Sequence, residues 1–458
     1  MGSHARVVIA GLSGDSGKTL VSLGLLASWR RAGQTVAAFK KGPDYIDAAW
    51  LSWASGTACR NLDAWLMGEA AVRRSFAWHA READLSLIEG NRGVFDGLDA
   101  SGSASTAALA RLLDAPVVLV VNVAKMTATA AALVRGCQAI DPTLRLGGVI
   151  LNRVASARQE AIARAAIEGA CALPVVGALG RLEDELLPGR HLGLVTPAEH
   201  GGLDGLAARL ADLVERQVDV GRIESVARAA LPLAVPLPPP TTAGPRVRVG
   251  YFRDSAFTFY YPENLEALTE AGARLEPISA LGDAALPAID LLYLGGGFPE
   301  THAAALSDNA SLRAAVKAAA ARGLPIYAEC GGLMYLAETL RADGRAYPMA
   351  GVLPITVTLE TRPQGHGYCE LVVDAPNPFF PVGTTLKGHE FHYSRVTAGL
   401  ERVTSVYAAR RGTGCGAGRD GLVQGNVLAS YAHLHAGGAG TWAQGLCRCA
   451  LKLRRNQA

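Results

Sequence analysis

The sequence has few of the features that mark secreted, zinc-binding or membrane-spanning proteins. Its eight cysteines are scattered, with no Cys-x-x-Cys pair and no Cys/His ligand spacing. This argues against a structural zinc site and suits a reducing compartment. The longest apolar stretch, residues 115–124, is far short of a membrane span. No charged start with an apolar core precedes the first predicted strand, so a cytoplasmic location and no membrane partner are expected.

An excess of charge of one sign is also lacking. Lys and Arg total 44 against 41 Asp and Glu, which gives a net charge of +3, so no nucleic-acid partner is predicted. Lysine itself is scarce, with only seven residues, and three of these (Lys18, Lys40 and Lys41) fall within the first 41 positions. In a chain that otherwise uses arginine, these lysines are candidates for compact charges that bind phosphate or carboxylate.

The composition is typical of folded domains, with 50% hydrophobic residues over 458 positions. Short β-branched runs alternate with Ala/Leu-rich helical patterns, which predicts an α/β fold with a mostly parallel sheet covered by helices on both faces. The first predicted strands are 6–10, 35–39, 85–88, 116–121, 148–151 and 174–178. The pattern restarts at 247–251, 291–294 and 325–328, then becomes strand-rich from about 350 to 430 before a final helix.

One stretch interrupts this alternation. Residues 231–245 contain six prolines, so they can form neither a regular helix nor an inner strand and are expected to act as a semi-rigid spacer. The sequence therefore predicts two α/β domains, residues 1–230 and 246–450, joined by a linker at 231–245.

A phosphate-binding loop follows the first predicted strand. Gly14, Gly17, Lys18 and Thr19 stand between that strand and a helix. The glycines allow backbone N–H groups to surround phosphate oxygens at the positive end of the helix. Lys18 is then placed to reach the β/γ-phosphates and Thr19 to ligate Mg²⁺. The strict pattern is not met, because Leu12 stands where its first glycine belongs, and the alternative is an ordinary Gly/Ser-rich turn.

Polar clusters follow two further strands, where open α/β sheets place their ligands. Asp44, Asp47 and Glu89 supply hard oxygen ligands that can hold Mg²⁺ opposite the phosphates, with Lys40 beside them. Taken singly, each acidic residue is more typical of a solvated loop charge, but their joint placement at strand ends beside a phosphate loop favours the metal site. Asn152, at the end of another strand, is a candidate to read the adenine edge, or it serves only in a turn.

A strand, a turn and a helix in the second half predict a nucleophile. Cys330 follows an apolar strand and precedes two glycines, which permits the strained strand-to-helix turn that exposes a nucleophile, with the N–H of Gly331 in an oxyanion hole. This turn around Cys330 is called the elbow below. Gly297 follows another strand and offers a second donor. A base is needed to form the thiolate, and His433 and His435 are the candidates. The alternative is a buried, inert cysteine.

Together these motifs resemble the cobyrinic/hydrogenobyrinic acid a,c-diamide synthases, glutamine-dependent enzymes of vitamin B12 biosynthesis. The matching segments run in collinear order over nearly the whole chain. They are KGPDYID (41–47), NLD (61–63), EGNRGVFDG (89–97), LNRV (151–154), RHLGL (190–194), DSAFTFYYPENLE (254–266), GGGFPE (295–300), YAECGGLMYL (327–336), GHEFHYS (388–394) and SYAHLH (430–435).

The resemblance implies a dethiobiotin-synthetase-like ATP domain joined to a class I glutamine amidotransferase domain. It implies that glutamine is hydrolysed at Cys330 with the help of His433, and that the ammonia aminates corrin carboxylates activated as acyl phosphates, on the a and c acetate side chains. ATP and glutamine are then cosubstrates, Mg²⁺ is the cofactor, and a homodimer is expected. The sequences of the segments 40–50 and 59–63 favour metal-free hydrogenobyrinic acid over cobalt-containing cobyrinic acid as the substrate.

By motif, the resemblance assigns Lys18 and Thr19 to ATP and Mg²⁺, and Asp44, Asp47 and Glu89 to metal binding and phosphorylation. The loop departs from the family pattern G-T-x-S-G-x-G-K-T at positions 12, 14 and 15, so the carboxylate at position 15 must point outward to spare the nucleotide.

Three other interpretations stay open at this point. CTP synthase joins similar domains but has a different elbow and terminal motif. Cobyric acid synthase shares the architecture and amidates other side chains. The third is a phosphate-loop nucleotide switch with an inactive amidotransferase fold, against which the retained Cys330 and His433 argue.

Overall fold

The computed structural model describes residues 4–181, 187, 189–190, 193–233, 235 and 246–457. The chain divides into two compact units, Met1–Pro238 and Pro239–Ala458. All eight cysteines are free thiols, and seven of them are buried. No helix in the described part of the chain is long and apolar enough to cross a membrane.

In the first unit, short apolar strands alternate with helices. The elements are β1 (Arg6–Gly11), α1 (Lys18–Arg31), β2 (Val36–Lys41), α2 (Ile46–Ser55), β3 (Arg60–Leu62), α3 (Ala64–Met67), α4 (Glu69–Ala80), β4 (Leu85–Gly93), α5 (Thr106–Leu112), β5 (Val117–Asn122), α6 (Thr129–Ile140), β6 (Leu146–Val154), α7 (Ala157–Cys171), β7 (Val175–Gly180), β8 (Gly189–Arg190), β9 (Gly193–Leu194), a 3₁₀ helix (Pro197–Glu199), α8 (Leu206–Gln217) and α9 (Val220–Arg228).

A seven-stranded sheet organises the described residues of this unit, in the order β3-β2-β4-β1-β5-β6-β7. Every neighbouring pair is parallel. The valine-rich β5 is buried over nearly its whole length, as expected for an inner strand of a parallel sheet. Because parallel strands end at the same edge, the loops after β1, β2 and β4 meet there.

The second unit begins with the same alternation and then becomes strand-rich. Its elements are β10 (Val247–Phe252), α10 (Pro262–Glu270), β11 (Ala273–Ile278), β12 (Leu291–Leu294), α11 (Ala303–Asp308), α12 (Ala310–Ala321), β13 (Ile326–Glu329), α13 (Gly331–Leu336), β14 (Ala337–Ala342), β15 (Arg345–Pro348), β16 (Leu353–Leu359), β17 (Gly365–Val373), β18 (Thr385–His392), β19 (Ser394–Ala398), a 3₁₀ helix (Leu400–Arg402), β20 (Thr404–Arg411), β21 (Arg419–Gln424), β22 (Val427–Ser430), β23 (His433–Leu434) and α14 (Trp442–Gln457).

The main sheet of the second unit is mixed. Its order is β11-β10-β12-β13-β22-β21-β20-β17-β18-β23, parallel from β11 to β22 and antiparallel beyond. A separate four-stranded sheet has the order β15-β14-β16-β19. The antiparallel half brings β23 to β18, and the parallel half carries β13, so both elements needed for a thiol site belong to one sheet.

The predicted α/β fold class is confirmed. All nine individually predicted strands are present, each starting within two residues of its expected position, whereas β3, β8, β9, β11, β14 and β15 were not predicted. The proline-rich segment 231–245 lies almost wholly outside the described residues, and the middle of the RHLGL segment at 190–194 does as well.

Candidate active sites

The phosphate loop connects β1 to α1, and its geometry requires glycine at position 17. Gly17 has φ +93° at the N-cap of α1, and a Cβ there would overlap the side-chain amide of Asn152. Asn152 is buried and donates from Nδ2 to the carbonyl of Ser16 at 2.8 Å, while its Oδ1 accepts from the N–H of Arg153 at 2.9 Å. The side-chain amide of Asn152 therefore fixes the backbone of the phosphate loop at Ser16.

Lys18 lies over the same loop. Its Nζ donates to the carbonyl of Ser13 at 2.9 Å and to Oγ of Ser16 at 3.3 Å. Burial lowers the pKa of Lys18, and the negative charge of Glu89 opposes that shift. Asp15 is exposed and has φ +52°, which agrees with the expectation that its carboxylate points away from the cradle.

A cluster of one lysine and three carboxylates lies at the ends of β2 and β4. The parallel register sets Lys40 beside Glu89, and Nζ of Lys40 is 2.7 Å from Oε1 of Glu89. It is also 2.6 Å from Oδ2 of Asp47 and 3.9 Å from Oδ2 of Asp44. Burial lowers the pKa of Lys40, but its attraction to Asp47, Glu89 and Asp44 outweighs burial, so the pKa is raised well above its ordinary value.

The close packing of these charges also changes the pKa of a carboxylate. Burial, together with repulsion from Asp47, raises the pKa of Asp44 to about 7. The Oδ1 of Asp44 accepts from the N–H of Asp47 at 2.9 Å, which fixes the turn into α2.

One oxygen of this cluster suits a cation. Thr19 donates from Oγ1 to Oε1 of Glu89 at 3.1 Å, which ties the start of α1 to the end of β4. Oε2 of Glu89 is fully buried and accepts no hydrogen bond from the residues that the structure describes. Within the described residues no three His, Cys, Asp or Glu side chains already form a metal cage. A hydroxyl and a carboxylate with a spare oxygen are nevertheless the donors that Mg²⁺ prefers when it keeps several waters.

Two residues that support this cluster were not identified as site residues from the sequence. Asn61 donates from Nδ2 to the carbonyls of Gly42 and Asp44, both at 2.8 Å, and so shapes the loop after β2. Asp63 caps α3 by accepting from two backbone N–H groups at 2.9 Å. Asn61 lies in β3 and Asp63 directly follows it, and this strand of three residues is too short to give a periodic pattern.

In the second unit, Cys330 occupies a strained turn between β13 and α13. Its φ is +48° and ψ is −100°, values that a side-chain-bearing residue rarely adopts. Its N–H donates to the carbonyl of Ser430 at 2.7 Å, which anchors the turn to β22. Burial, reinforced by the charge of Glu300, raises the pKa of the Cys330 thiol above its ordinary value. A neighbouring proton acceptor is therefore needed to form the thiolate.

The glycine turn after β12 lies against this elbow. A Cβ on Gly331 would lie 3.1 Å from the backbone nitrogen of Gly297, so the amides of these two residues are close together. Gly297 has φ +157°, and a Cβ there would overlap the carbonyl of Ala256. A Cβ on Gly296 would lie 2.5 Å from Cε1 of His433. The structure thus brings the two predicted oxyanion donors and His433 to one turn.

The two candidate histidines have different surroundings. The ring of His433 is buried and stacks on His389 with ring centroids 5.0 Å apart, and its Nδ1 is 3.5 Å from Oε2 of Glu329. His435 accepts from the N–H of Gly437 at 3.0 Å. The ring of His435 packs on Tyr261 at 4.6 Å, and its Nε2 is 3.8 Å from Oε1 of Glu263. His433 thus faces the glycine turn after β12, which lies against the elbow, whereas His435 faces Tyr261 and Glu263.

Buried carboxylates near the elbow were missed by the sequence interpretation. Asp420 in β21 is fully buried and accepts from Oγ of Ser430 at 2.8 Å and from the N–H groups of Tyr431 and Ala432 at 3.1 and 3.3 Å. It fixes the chain that leads to His433. Burial raises the pKa of Asp420, and hydrogen bonds from Cys415, Gly421, Ser430 and Tyr431 oppose the shift. The sequence carries little signal for it, because Asp420 stands between Arg419 and Gly421 at the start of a short strand.

Comparison with known protein families covers both units. The family model described as the CobQ/CobB/MinD/ParA nucleotide binding domain matches residues 7–194. The model described as the CobB/CobQ-like glutamine amidotransferase domain matches residues 248–440.

Curated relatives match over nearly the full length. A cobyrinate a,c-diamide synthase of Magnetococcus marinus is 43% identical over 450 residues, which are 97% of this chain and 96% of that protein. Proteins of the same name from Syntrophotalea carbinolica and Salmonella typhimurium are 44% and 38% identical, each over 94% of this chain and over 96% and 95% of their own.

Proposed function

Because the chain belongs to the cobyrinate a,c-diamide synthase family, we propose that it uses ATP and glutamine to convert the a and c acetate carboxylates of a corrin into amides. It is a carbon–nitrogen ligase with a glutamine amidotransferase domain. The proposal rests on one observation above all. A phosphate loop with a buried lysine–carboxylate cluster and a strained cysteine elbow beside a histidine occur in the same chain.

The ammonia is released at the elbow. His433 accepts the thiol proton of Cys330, and the thiolate attacks the side-chain amide carbon of glutamine. The N–H groups of Gly331 and Gly297 stabilise the oxyanion that forms. His433 returns the proton to the departing ammonia, and water then hydrolyses the thioester to release glutamate.

The ammonia is used at the phosphate loop. Lys18 and the loop amides of Gly14 and Gly17 neutralise the ATP phosphates while a corrin carboxylate attacks the γ-phosphorus and ADP leaves. Ammonia displaces phosphate from the resulting acyl phosphate, which gives the amide. Thr19, Asp44, Asp47 and Glu89 would hold Mg²⁺, which supplies charge neutralisation at the phosphates. Lys40 fixes the geometry of these carboxylates, and Asn152 supports the loop at the nucleotide side.

The corrin is proposed to be hydrogenobyrinic acid, because the sequences of the segments 40–50 and 59–63 favour it. Incubation of the protein with ATP, Mg²⁺, glutamine and each corrin in turn, followed by mass spectrometry, identifies the substrate. We expect two carboxylates to become amides on hydrogenobyrinic acid and fewer on cobyrinic acid. The reverse preference would reject this choice of corrin and leave the reaction type intact.

The mechanism predicts that ammonia replaces the glutamine site. Cys330→Ala should lose glutamine-dependent amidation yet form the diamide with high ammonium at mildly alkaline pH, where NH₃ is available. His433→Ala should lose glutamine-dependent amidation as well, because burial raises the pKa of the Cys330 thiol and leaves it protonated when its base is removed. Product formation is measured by mass spectrometry, with Cys449→Ala as the matched control.

Two outcomes would contradict this scheme. Failure of folded Cys330→Ala with ammonia would reject the division into an ammonia-releasing and an ammonia-using site. A His435→Ala variant that loses glutamine-dependent amidation, beside an unaffected His433→Ala, would assign the base to His435.

The remaining proposals concern organisation. The domain boundaries are 1–230 and 246–450 with a linker at 231–245, the protein is cytoplasmic, and it forms a homodimer. Light scattering after size exclusion tests the dimer, which a monomer mass would exclude.

A further inference from the structure

The carboxylate of Glu329 is fully buried directly before the nucleophile, at the end of β13. Its Oε1 accepts from the hydroxyl of Tyr327 at 3.0 Å and from the N–H of Leu434 at 3.2 Å. Its Oε2 accepts from the hydroxyl of Tyr293 at 3.3 Å. These donors are neutral, and a buried carboxylate is costly unless a positive charge or several hydrogen bonds compensate it.

The same Oε2 lies 3.5 Å from Nδ1 of His433. The Cε1–Nε2 edge of that ring faces the glycine turn after β12, since a Cβ on Gly296 would lie 2.5 Å from Cε1 and 3.3 Å from Nε2. The ring therefore presents one nitrogen to the carboxylate and the other to the side where the reaction occurs. A proton held on Nδ1 leaves the lone pair of Nε2 free to accept the thiol proton.

We infer that Glu329 is the positioning residue of the glutaminase: it holds the proton of His433 on Nδ1 and stabilises the imidazolium that forms when Nε2 takes the proton of Cys330. The step balances, because the S–H bond breaks, an N–H bond forms, and the pair becomes a thiolate and an imidazolium. This inference rests on the proposed function of Cys330 and His433.

Other titratable groups face His433, and their charges distinguish them from Glu329. His389 of β18 stacks on the ring, and burial, reinforced by His433, lowers its pKa well below its ordinary value, so it contributes no charge at neutral pH. His435 lies two residues along the chain, and Glu300 and Asp420 raise the pKa of Cys330 by their negative charges. Glu329 also disfavours the thiolate by its charge, but its carboxylate lies 3.5 Å from Nδ1 of the imidazole, where it favours proton transfer.

Glu329→Gln tests the role of the charge, with Tyr327→Phe as the matched control. Gln keeps the shape and removes the charge, whereas Phe removes one hydrogen bond and keeps the charge. For glutamine hydrolysis by the full chain, we expect Glu329→Gln to lower kcat at least about tenfold with KM nearly unchanged. Tyr327→Phe should stay within about threefold of the wild type. Amidation with ammonium should be unaffected in both variants.

A second measurement does not depend on any Glu329 variant folding. In protein labelled with ¹⁵N-histidine, the His433 signals, assigned by their loss in His433→Ala, should show a proton on Nδ1. A bare Nδ1 with the proton on Nε2 would overturn the inference. So would a Glu329→Gln kcat within twofold of wild type, or equal losses in Glu329→Gln and Tyr327→Phe. A Cys330→Ala variant that still hydrolyses glutamine would instead reject the proposed function itself.

Discussion

At the scale of single residues, burial acts in opposite directions on the two lysines of the ATP site. Lys18 faces backbone carbonyl and hydroxyl groups, and burial lowers its pKa. Lys40 is in contact with two carboxylates, which outweigh burial and raise its pKa. The sequence shows two lysines after two strands and cannot show this difference, because it depends on which side chains the parallel register places opposite each lysine.

Lys40→Ala is predicted to destabilise the first unit. Removal of the ammonium leaves the buried Glu89 and the half-buried Asp47 without their cation, and breaking a buried ion pair costs about 3–5 kcal/mol. The loss should shrink at acidic pH, because protonation of Asp44, whose pKa is raised to about 7, relieves the repulsion as the pH falls. Urea unfolding at neutral and acidic pH measures both effects.

The exposed Lys125 serves as the control for this experiment. A loss below about 1 kcal/mol in Lys40→Ala, or one equal to that of Lys125→Ala, would show that the carboxylates are compensated by other groups.

A second residue-scale prediction concerns the reactivity of the thiol. Burial and then the charge of Glu300 raise the pKa of Cys330, so Glu300→Gln should lower that pKa and increase the thiolate fraction. At neutral pH, where most of the thiol is protonated, alkylation of Cys330 by iodoacetamide should become at least about twofold faster. Glu401→Gln, at an exposed position, is the control. An unchanged or slower alkylation rate would show that Glu300 does not act on the thiol through its charge.

At the scale of elements, most strands were predictable because their β-branched runs are local signals. Two strands that were not predicted, β3 and β11, show where such signals fail. β3 has three residues, and β11 is only partly buried and carries charged side chains. The phosphate loop was predictable because strand, glycines and helix follow one another in the chain. The support from Asn152 was not, because it crosses from β6 to the loop over more than a hundred residues.

Gly17→Ala should disable the phosphate loop. The residue has φ +93°, and an added Cβ would overlap Nδ2 of Asn152, so both the backbone and the supporting hydrogen bond must move. We expect ATP-dependent amidation with ammonium to fall at least about tenfold, and ATP affinity by calorimetry to fall with it. Gly169→Ala, in α7 with open space around its Cα, should retain both. Normal ATP affinity in Gly17→Ala would mean that the loop tolerates a different backbone path.

At the scale of the whole molecule, the strand order of the second unit could not be predicted. Its sheet places β22 beside β13 and β23 beside β18, so residues far apart in sequence become neighbours. Cys330 was identifiable from its local turn, and His433 only as one of two histidines. Glu329 and Asp420 gain their contacts through pairings that no local pattern specifies, which is why both escaped the sequence interpretation.

The separation of the chain into two units predicts that their reactions can be uncoupled. Lys18 lies in the first unit and Cys330 in the second, and the contacts of each described above are made within its own unit. Lys18→Ala should abolish amidation with either glutamine or ammonium, because the phosphates lose their ammonium partner. Glutamine hydrolysis should stay within about threefold of wild type, measured as glutamate release, while Lys125→Ala should retain both activities. If a folded Lys18→Ala variant lost glutamine hydrolysis together with amidation, the thiol site would require an intact ATP site, and the elbow could not be regarded as assembled by its own unit alone.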